Sequence, residues 1–492
     1  MNTQHKSRWM PIALCIVASI ASLLAATSQQ SQPSAARGAL SPGLLAVRHV
    51  SVIPMTTDTV LRDATVIVRD GRIIAVGPSS TSTVPRGAQV IEGAGKFLIP
   101  GLADMHVHLL SDGDEVHDSA GPAELGVMLA NGVTAARLMI GTPEQLTLRR
   151  DVATGTVVGP QLWVASPQLT GRASENAIVV TTPNEARVAV RRAAADGYDF
   201  VKLTLYITRE VFDAIVDEAK SRGIRVVGHV DPSVGVRRAL EAGEQIEHLD
   251  SYLEAVLADS ALVRESLTQM SVYRNQNWAS MDFIDERKID QIAGATARAG
   301  VFVTPTQNVF NTSFGIGESD SAIRNRPDWQ FWPPKMRAGY LRAHSNYWDP
   351  ARAGEKTAAR RRRYVEVRNK LLKAIHDSGG KIMAGSDTPE WFHMYGWGLH
   401  RELQALVRAG LTPFQALTAA TKRPAEFLGA TAEWGTIERA KRADFVMLSA
   451  NPLADIRNSS AIEGVAIGGR WMTRAQLDAM IARGASAVRV AP

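Results

Sequence analysis

The sequence predicts an α/β protein: a (β/α)8 TIM barrel carrying a small β-sandwich domain formed from both ends of the chain. Three observations predict it. From Gly101 onward, apolar stretches of strand length alternate with amphipathic stretches of helix length, eight times over roughly 300 residues. Before Pro100 and again after Gly429 the pattern is one of short alternating apolar runs separated by turn signals. Finally, several histidines, a lysine and an aspartate fall at the C-terminal ends of the long-range strands, where barrel enzymes place their chemistry. A doubly wound open sheet is the alternative, and it is disfavoured because no Gly-rich phosphate loop follows the first strand.

Taken in order, the chain opens with Lys6 and Arg8, an apolar run Ile12–Ala26, small residues and the polar Ser28-Gln-Gln-Ser31. This is the layout of an export signal over residues 1–28, and the run is short of the ~20 residues a membrane span needs. The expectation is a secreted or periplasmic protein with no stable membrane span after signal removal. Residues 29–43, rich in Ser, Ala, Pro and Gly, read as a flexible lead-in. The stretches Val47–Ile53, Ala64–Val68, Ile73–Val76 and Gln89–Ile91 follow, with Asp70-Gly71 as one of the turns, and predict a small antiparallel sheet.

The eight barrel strands are expected at Ala103–His108, Thr134–Met139, Gln161–Ala165, Phe200–Leu205, Arg225–His229, Gln245–His248, Gly300–Thr304 and Lys381–Ser386. Helical stretches between them include Glu185–Asp196, Glu210–Arg222 and Ser233–Ala242. Short strands return at Phe445–Leu448 and Val465–Ile467, followed by the Gly468-Gly469 turn and an amphipathic helix at about Arg474–Arg483. The domain layout is therefore 44–100 plus 435–492 for the small domain and 101–434 for the barrel. The connection from Asp250 to about Arg368 is long and aromatic, and reads equally as packing against the barrel wall or as a wall over the site.

Composition excludes several functions. A net charge of +6 over 492 residues, with basic and acidic residues interspersed, carries no nucleic-acid footprint. Arg360–Arg363 is the one dense basic run and reads as a solvated helix face. Cys15 is the only cysteine and lies within the export signal, so the mature protein would have no disulfide, thiolate ligand or cysteine nucleophile. Any metal must then be held by His, Asp, Glu or a modified Lys.

The residues at strand ends supply such a set: His106 and His108 on the first strand, Lys202 on the fourth, His229 on the fifth, His248 on the sixth and Asp387 on the eighth. Two histidines one residue apart on a strand share a face, which makes half of a metal site. One buried His usually has a mundane explanation; four, with a Lys and an Asp at the same end of successive strands, do not share one easily. Asp104 lies two residues deeper on the same face and reads as structural. Tyr206 and Arg209, with Arg172, are candidate grips for a substrate carbonyl or carboxylate. His393 and His400 follow the eighth strand as candidates for substrate contact, with capping or packing equally open.

The chain resembles the amidohydrolase superfamily, in its imidazolonepropionase-like and prolidase-like branch, from about Leu45 to Arg470. The residues that carry the resemblance are Pro100-Gly-Leu-Ala-Asp-Met-His-Val-His108, the strand-end Lys202, Gly228-His229, Ile246-Glu-His248, Gly385-Ser-Asp387 and Ala443-Asp-Phe-Val-Met-Leu-Ser-Ala-Asn-Pro-Leu453. The resemblance implies two divalent metal ions, zinc being the metal expected. His106, His108 and Asp387 would hold one and His229 and His248 the other, with Lys202 bridging both as a carbamate formed with CO2. It also implies hydrolysis of a C–N bond by activated water, with Asp387 as the proton shuttle. The expected substrate is a small amide or dipeptide-like molecule; a cyclic amide, urea, carbamate or lactone stays open, as does a non-catalytic metal-binding protein. Xaa-Pro dipeptidase or carboxypeptidase chemistry and homo-oligomerisation are left open too.

Overall fold

The computed structural model describes residues 43–109, 121–174, 177–259, 277–314, 319–332, 336–339, 341–342, 354–390 and 392–490. The expected export signal, the lead-in up to residue 42, and the aromatic residues Tyr340, Tyr347 and Trp348 lie outside them. Among the described residues no helix is long and apolar enough to cross a membrane.

The chain begins with β1 (Leu45–Val52), β2 (Leu61–Arg69), β3 (Arg72–Pro78), β4 (Gln89–Glu92) and β5 (Phe97–Pro100). The next ten strands are β6 (Leu102–Val107), β7 (Val133–Leu138), β8 (Gln161–Val164), β9 (Gln168–Thr170), β10 (Ala177–Val179), β11 (Phe200–Leu203), β12 (Arg225–Gly228), β13 (Gln245–Glu247), β14 (Phe302–Thr304) and β15 (Lys381–Ile382). Last come β16 (Phe445–Leu448), β17 (Ile462–Ile467), β18 (Arg470–Thr473) and the helix Arg474–Val490.

Both ends of the chain meet in one eight-stranded sheet of order β18-β17-β16-β5-β1-β2-β3, with β4 also paired to β1. Asp70-Gly71 closes the β2–β3 hairpin with two positive φ values, 49° and 78°, and Gly468-Gly469 closes β17–β18 with 54° and 78°. Both suit the two-residue turns whose twist matches the strands. The sheet differs from the antiparallel expectation in one respect: β1 pairs in parallel with β4 along its first half and with β5 at its end. No short hairpin can make that link, so β1 must receive strands returning from further along the chain.

The remainder is a TIM-barrel-like α/β fold. The strands β6-β7-β8 pair in parallel, as do β9-β11-β12-β13-β14-β15. A parallel bridge Ala165–Phe200 joins β8 to β11. On the far side, Met105 N–H donates to Ala384 O (3.0 Å) and Asp387 N–H to His106 O (2.7 Å). Helices with regular caps sit between the strands. Thr182 and Glu185 form a capping box at the start of Pro183–Asp196, and Thr208 caps Arg209–Arg222. Both helices end at a left-handed glycine, Gly197 and Gly223. The strands β9 and β10 were not expected from the sequence, being only three residues each.

The basic run is solvated in part, with Arg362 exposed. Arg361 is buried with its guanidinium 5.4 Å from the Trp278 ring, while Arg360 and Arg363 pair with Asp282 and Glu286. The aromatic connection divides between its two readings. Trp332 and Phe331 are buried in the core, whereas Phe310 faces the cavity described next.

Candidate metal centre

The centre starts from β6, whose end brings His106 and His108 over the strand mouths. Asp104 lies deeper on the same strand and is indeed structural: its carboxylate accepts the Ser386 N–H (2.8 Å) and the Ser386 hydroxyl (2.5 Å). That grip fixes the turn at Asp387, a non-glycine residue at φ 55°. Gly385 permits the approach, since a Cβ there would lie 2.8 Å from the His106 Cβ and 2.4 Å from Thr304 Cγ2. Asp387 Oδ1 then stands 3.2 Å from His108 Nε2 and 3.4 Å from His106 Nε2. One ligand atom from each of the three residues lies within 4.8 Å of the other two.

The other histidines complete the ring. His248 stacks against His229 at 4.5 Å between centroids and approaches His106 at 4.6 Å. In three of the four the Nδ1 edge is already engaged: His106 with Glu247 (2.8 Å), His229 with Asp250 (2.7 Å) and His248 with Thr306 (2.8 Å). Such contacts orient the rings and leave Nε2 as the atom that could ligate a metal. Glu247 is held in turn by Arg137, which donates to it at 2.6 Å and to the Met105 carbonyl at 2.6 Å. Burial first, and then the neighbouring cations, keep His106 and His248 well below the usual imidazole range, so both are neutral, the form that binds metals.

Lys202 projects from β11 and is 1 % exposed, yet its Nζ has no hydrogen-bond partner. Burial lowers its pKa to about 8, against the pull of Glu247 and Asp387. An unpartnered amine in a polar cavity leaves a costly buried group unsatisfied, and it fits a chemistry that converts it into a ligand. Asp387 behaves oppositely. Burial alone would raise it, but His248, His108 and Lys202 hold its carboxyl below the usual carboxylate range.

His106, His108, Lys202, His229, His248 and Asp387 all line one cavity of about 210 Å³. The four expected substrate contacts do not. His400 spends both ring nitrogens on Ser459 (2.9 Å) and Asn131 O (3.0 Å), and His393 is fully buried against Thr312 (2.9 Å). Neither side chain lines the cavity, although Glu390, between Asp387 and both of them, does. Arg209 opens a helix over a separate surface groove. Tyr206 is 58 % exposed with Arg172 stacked on it at 5.6 Å. In their place, Ile140, Gln168, Asp250, Val309, Phe310 and Glu390 form the rest of the cavity lining.

Glu247, Arg137, Asp250 and Thr306 escaped sequence reading. Adjacent residues on a regular strand face opposite ways, which hides Glu247 beside His248. The positive φ of His248, 60°, breaks that alternation and turns both side chains inward.

A model of the amidohydrolase family matches residues 97–472, spanning every one of these cavity residues. The chain belongs to the amidohydrolase family. As an amidohydrolase it is a hydrolase of carbon–nitrogen bonds. Similar solved structures include a bottromycin amidohydrolase, 24% identical with a TM-score of 0.69, covering 92% of each chain. A Bifidobacterium longum protein assigned as a prolidase is 24% identical with a TM-score of 0.65, covering 90% of this chain and 99% of its own. A Xaa-Pro dipeptidase with bound methionine is 18% identical with a TM-score of 0.61, covering 88% of this chain and 100% of its own. At these identities the likeness is one of fold. A search of curated proteins returns no match.

Proposed function

We propose that this amidohydrolase is an exported, metal-dependent enzyme that hydrolyses an amide or peptide-like bond of a small substrate. The observation that carries the reading is the convergence of six candidate ligands on one cavity, with Lys202 Nζ buried and unpartnered among them. His106, His108 and Asp387 would hold one divalent ion, and His229 and His248 a second. Lys202 would join the two as a carbamate: its neutral amine adds to CO2 with loss of one proton, giving an anion with two oxygens. Bound ions, zinc foremost, would supply a water of lowered pKa and a polarised substrate carbonyl.

The chain's own residues do the rest. Asp387 accepts a proton from the attacking water and returns it to the departing nitrogen, so the C–N bond is replaced by C–O and no covalent enzyme intermediate forms. Its carboxyl is held in the ionised form by His248, His108 and Lys202 against the effect of burial. Ile140, Val309 and Phe310 give the cavity an apolar side suited to a hydrocarbon or aromatic part of the substrate. The names of the similar structures, a prolidase, a Xaa-Pro dipeptidase and a bottromycin amidohydrolase, support peptide-like substrates.

The same reading takes the parallel strands as one closed eight-strand barrel, supported by the bonds from β6 to the segment after β15 and from β8 to β11. It takes the mixed sheet as a sandwich folded on itself. One shared core, with Val66 from β2 and Trp471 from β18, supports this, and so does the approach of Gly71 to Gly468 O. The domain limits 44–100 plus 435–492 and 101–434 follow from it; export by residues 1–28 rests on Lys6, Arg8 and the apolar run Ile12–Ala26.

Hydrolysis by the zinc-loaded protein should be screened against dipeptides, N-acyl amino acids, aryl amides, phenylureas and lactams. Cleavage of dipeptides or N-acyl amino acids, abolished by a chelator, is the expected result. Turnover restricted to ureas or lactams would replace the peptide-like substrate class, and turnover indifferent to metal removal would overturn the metal chemistry.

A further inference from the structure

Arg368 lies on the helix Glu355–Asp377 and is fully buried, far from the strand motifs that announce the centre. Its guanidinium donates to the His248 carbonyl (2.6 Å), the Pro305 carbonyl (2.9 Å) and Gln307 Oε1 (2.9 Å). The same group lies 3.6 Å from the centre of the Phe310 ring. One side chain thus touches the backbone of a candidate metal ligand and an aromatic wall of the cavity.

The two carbonyls it grips flank strained backbone. His248 and Leu249 have φ values of 60° and 54°, and Thr306, which follows Pro305, has 45°. Non-glycine residues keep such angles only where their surroundings over-determine them. The segment after β14 is held from its amide side as well, since Glu402 accepts the N–H groups of Gln307 (3.0 Å) and Asn308 (2.7 Å). A planar guanidinium can serve three acceptors and stack on a ring at once; an ammonium cannot.

We propose that Arg368 is a positioning residue that locks His248 and the Phe310 wall into one unit, coupling metal capture to the shape of the substrate pocket. The proposal rests on His248 being a metal ligand.

Cobalt(II) is the probe, read by its visible absorption spectrum during titration of the metal-free wild type, Arg368→Lys and Phe310→Leu. We expect Arg368→Lys to weaken Co(II) binding by roughly 10-fold or more, in the range seen for groups that orient ligands. Its ligand-field spectrum should change as well, and Phe310→Leu, which removes the ring stacked on Arg368, should weaken Co(II) binding by a smaller factor. In the wild type, Co(II) should slow amide hydrogen exchange across residues 305–310, a measurement that stands even if Arg368→Lys fails to fold. Wild-type affinity and spectrum in folded Arg368→Lys, or no change in exchange at 305–310 when Co(II) binds, would overturn the coupling alone. A wild type that takes up no Co(II) would overturn the metal reading itself.

Discussion

In the proposed function Lys202 is the residue on which the chemistry turns, because an ammonium repels cations and a carbamate binds them. Replacing it with Met should lower metal uptake sharply and cut turnover by at least 100-fold, since oriented catalytic electrostatics are worth factors of that size. Bicarbonate added during metal loading should raise uptake in the wild type and leave Lys202→Met unchanged; equal uptake by both proteins would rule the carbamate out. At this scale the sequence was informative about candidate ligands at strand ends: His106, His108, Lys202, His229, His248 and Asp387 share one cavity. It was silent on the residues that orient them, because Glu247, Asp250 and Thr306 meet their histidines only through local departures from strand geometry. His393 and His400, which follow Asp387 in the chain, do not line that cavity.

The helix Trp397–Arg408 illustrates how an element away from the metal cavity still shapes it. It carries His400, whose pKa burial lowers to about 4, and Glu402, whose pKa burial raises to about 7. The two give opposite pH dependences. For His400 the unfolded chain binds the extra proton below its usual 6.5, so stability is present above that value and falls as pH drops toward 4. For Glu402 the folded state holds the proton longer, so stability is present below 4.5 and falls as pH rises toward 7. Between about 4.5 and 6.5 the slopes oppose each other. Glu402→Gln should therefore unmask a stability that rises with pH across that window, and His400→Gln one that falls, each by up to about 3 kcal/mol. Urea unfolding at stepped pH measures this, and parallel profiles for the two variants would contradict it. Of the elements themselves, strands with alternation and firm turns were legible, whereas β5, β9 and β10 were too short for any periodicity to mark them.

Over the whole molecule, the two chain ends depend on each other. Strand β16 pairs with β5 along its length, and Phe445, Met447 and Trp471 share the small core with Val47 and Val66. Burying each large side chain contributes roughly 1.5–3 kcal/mol, so losing several exhausts the 5–15 kcal/mol typical of a domain. Truncation before Ala443 should yield a protein with no cooperative unfolding transition; a sharp melt in the truncated chain would show the sheet to be dispensable. The TIM-barrel-like α/β class was legible because hydrophobic period and turn chemistry agree along nearly the whole chain. The parallel pairing of β1 was not, because it is set by which strand returns rather than by any local pattern.

The most direct test of the central claim compares metal-loaded wild type with Asp387→Asn, measuring bound metal and hydrolysis of the best substrate in the same preparation. We expect most of the metal to be retained and turnover to fall by at least 1,000-fold, in line with loss of a general acid–base group. Near-normal turnover in Asp387→Asn would contradict the account.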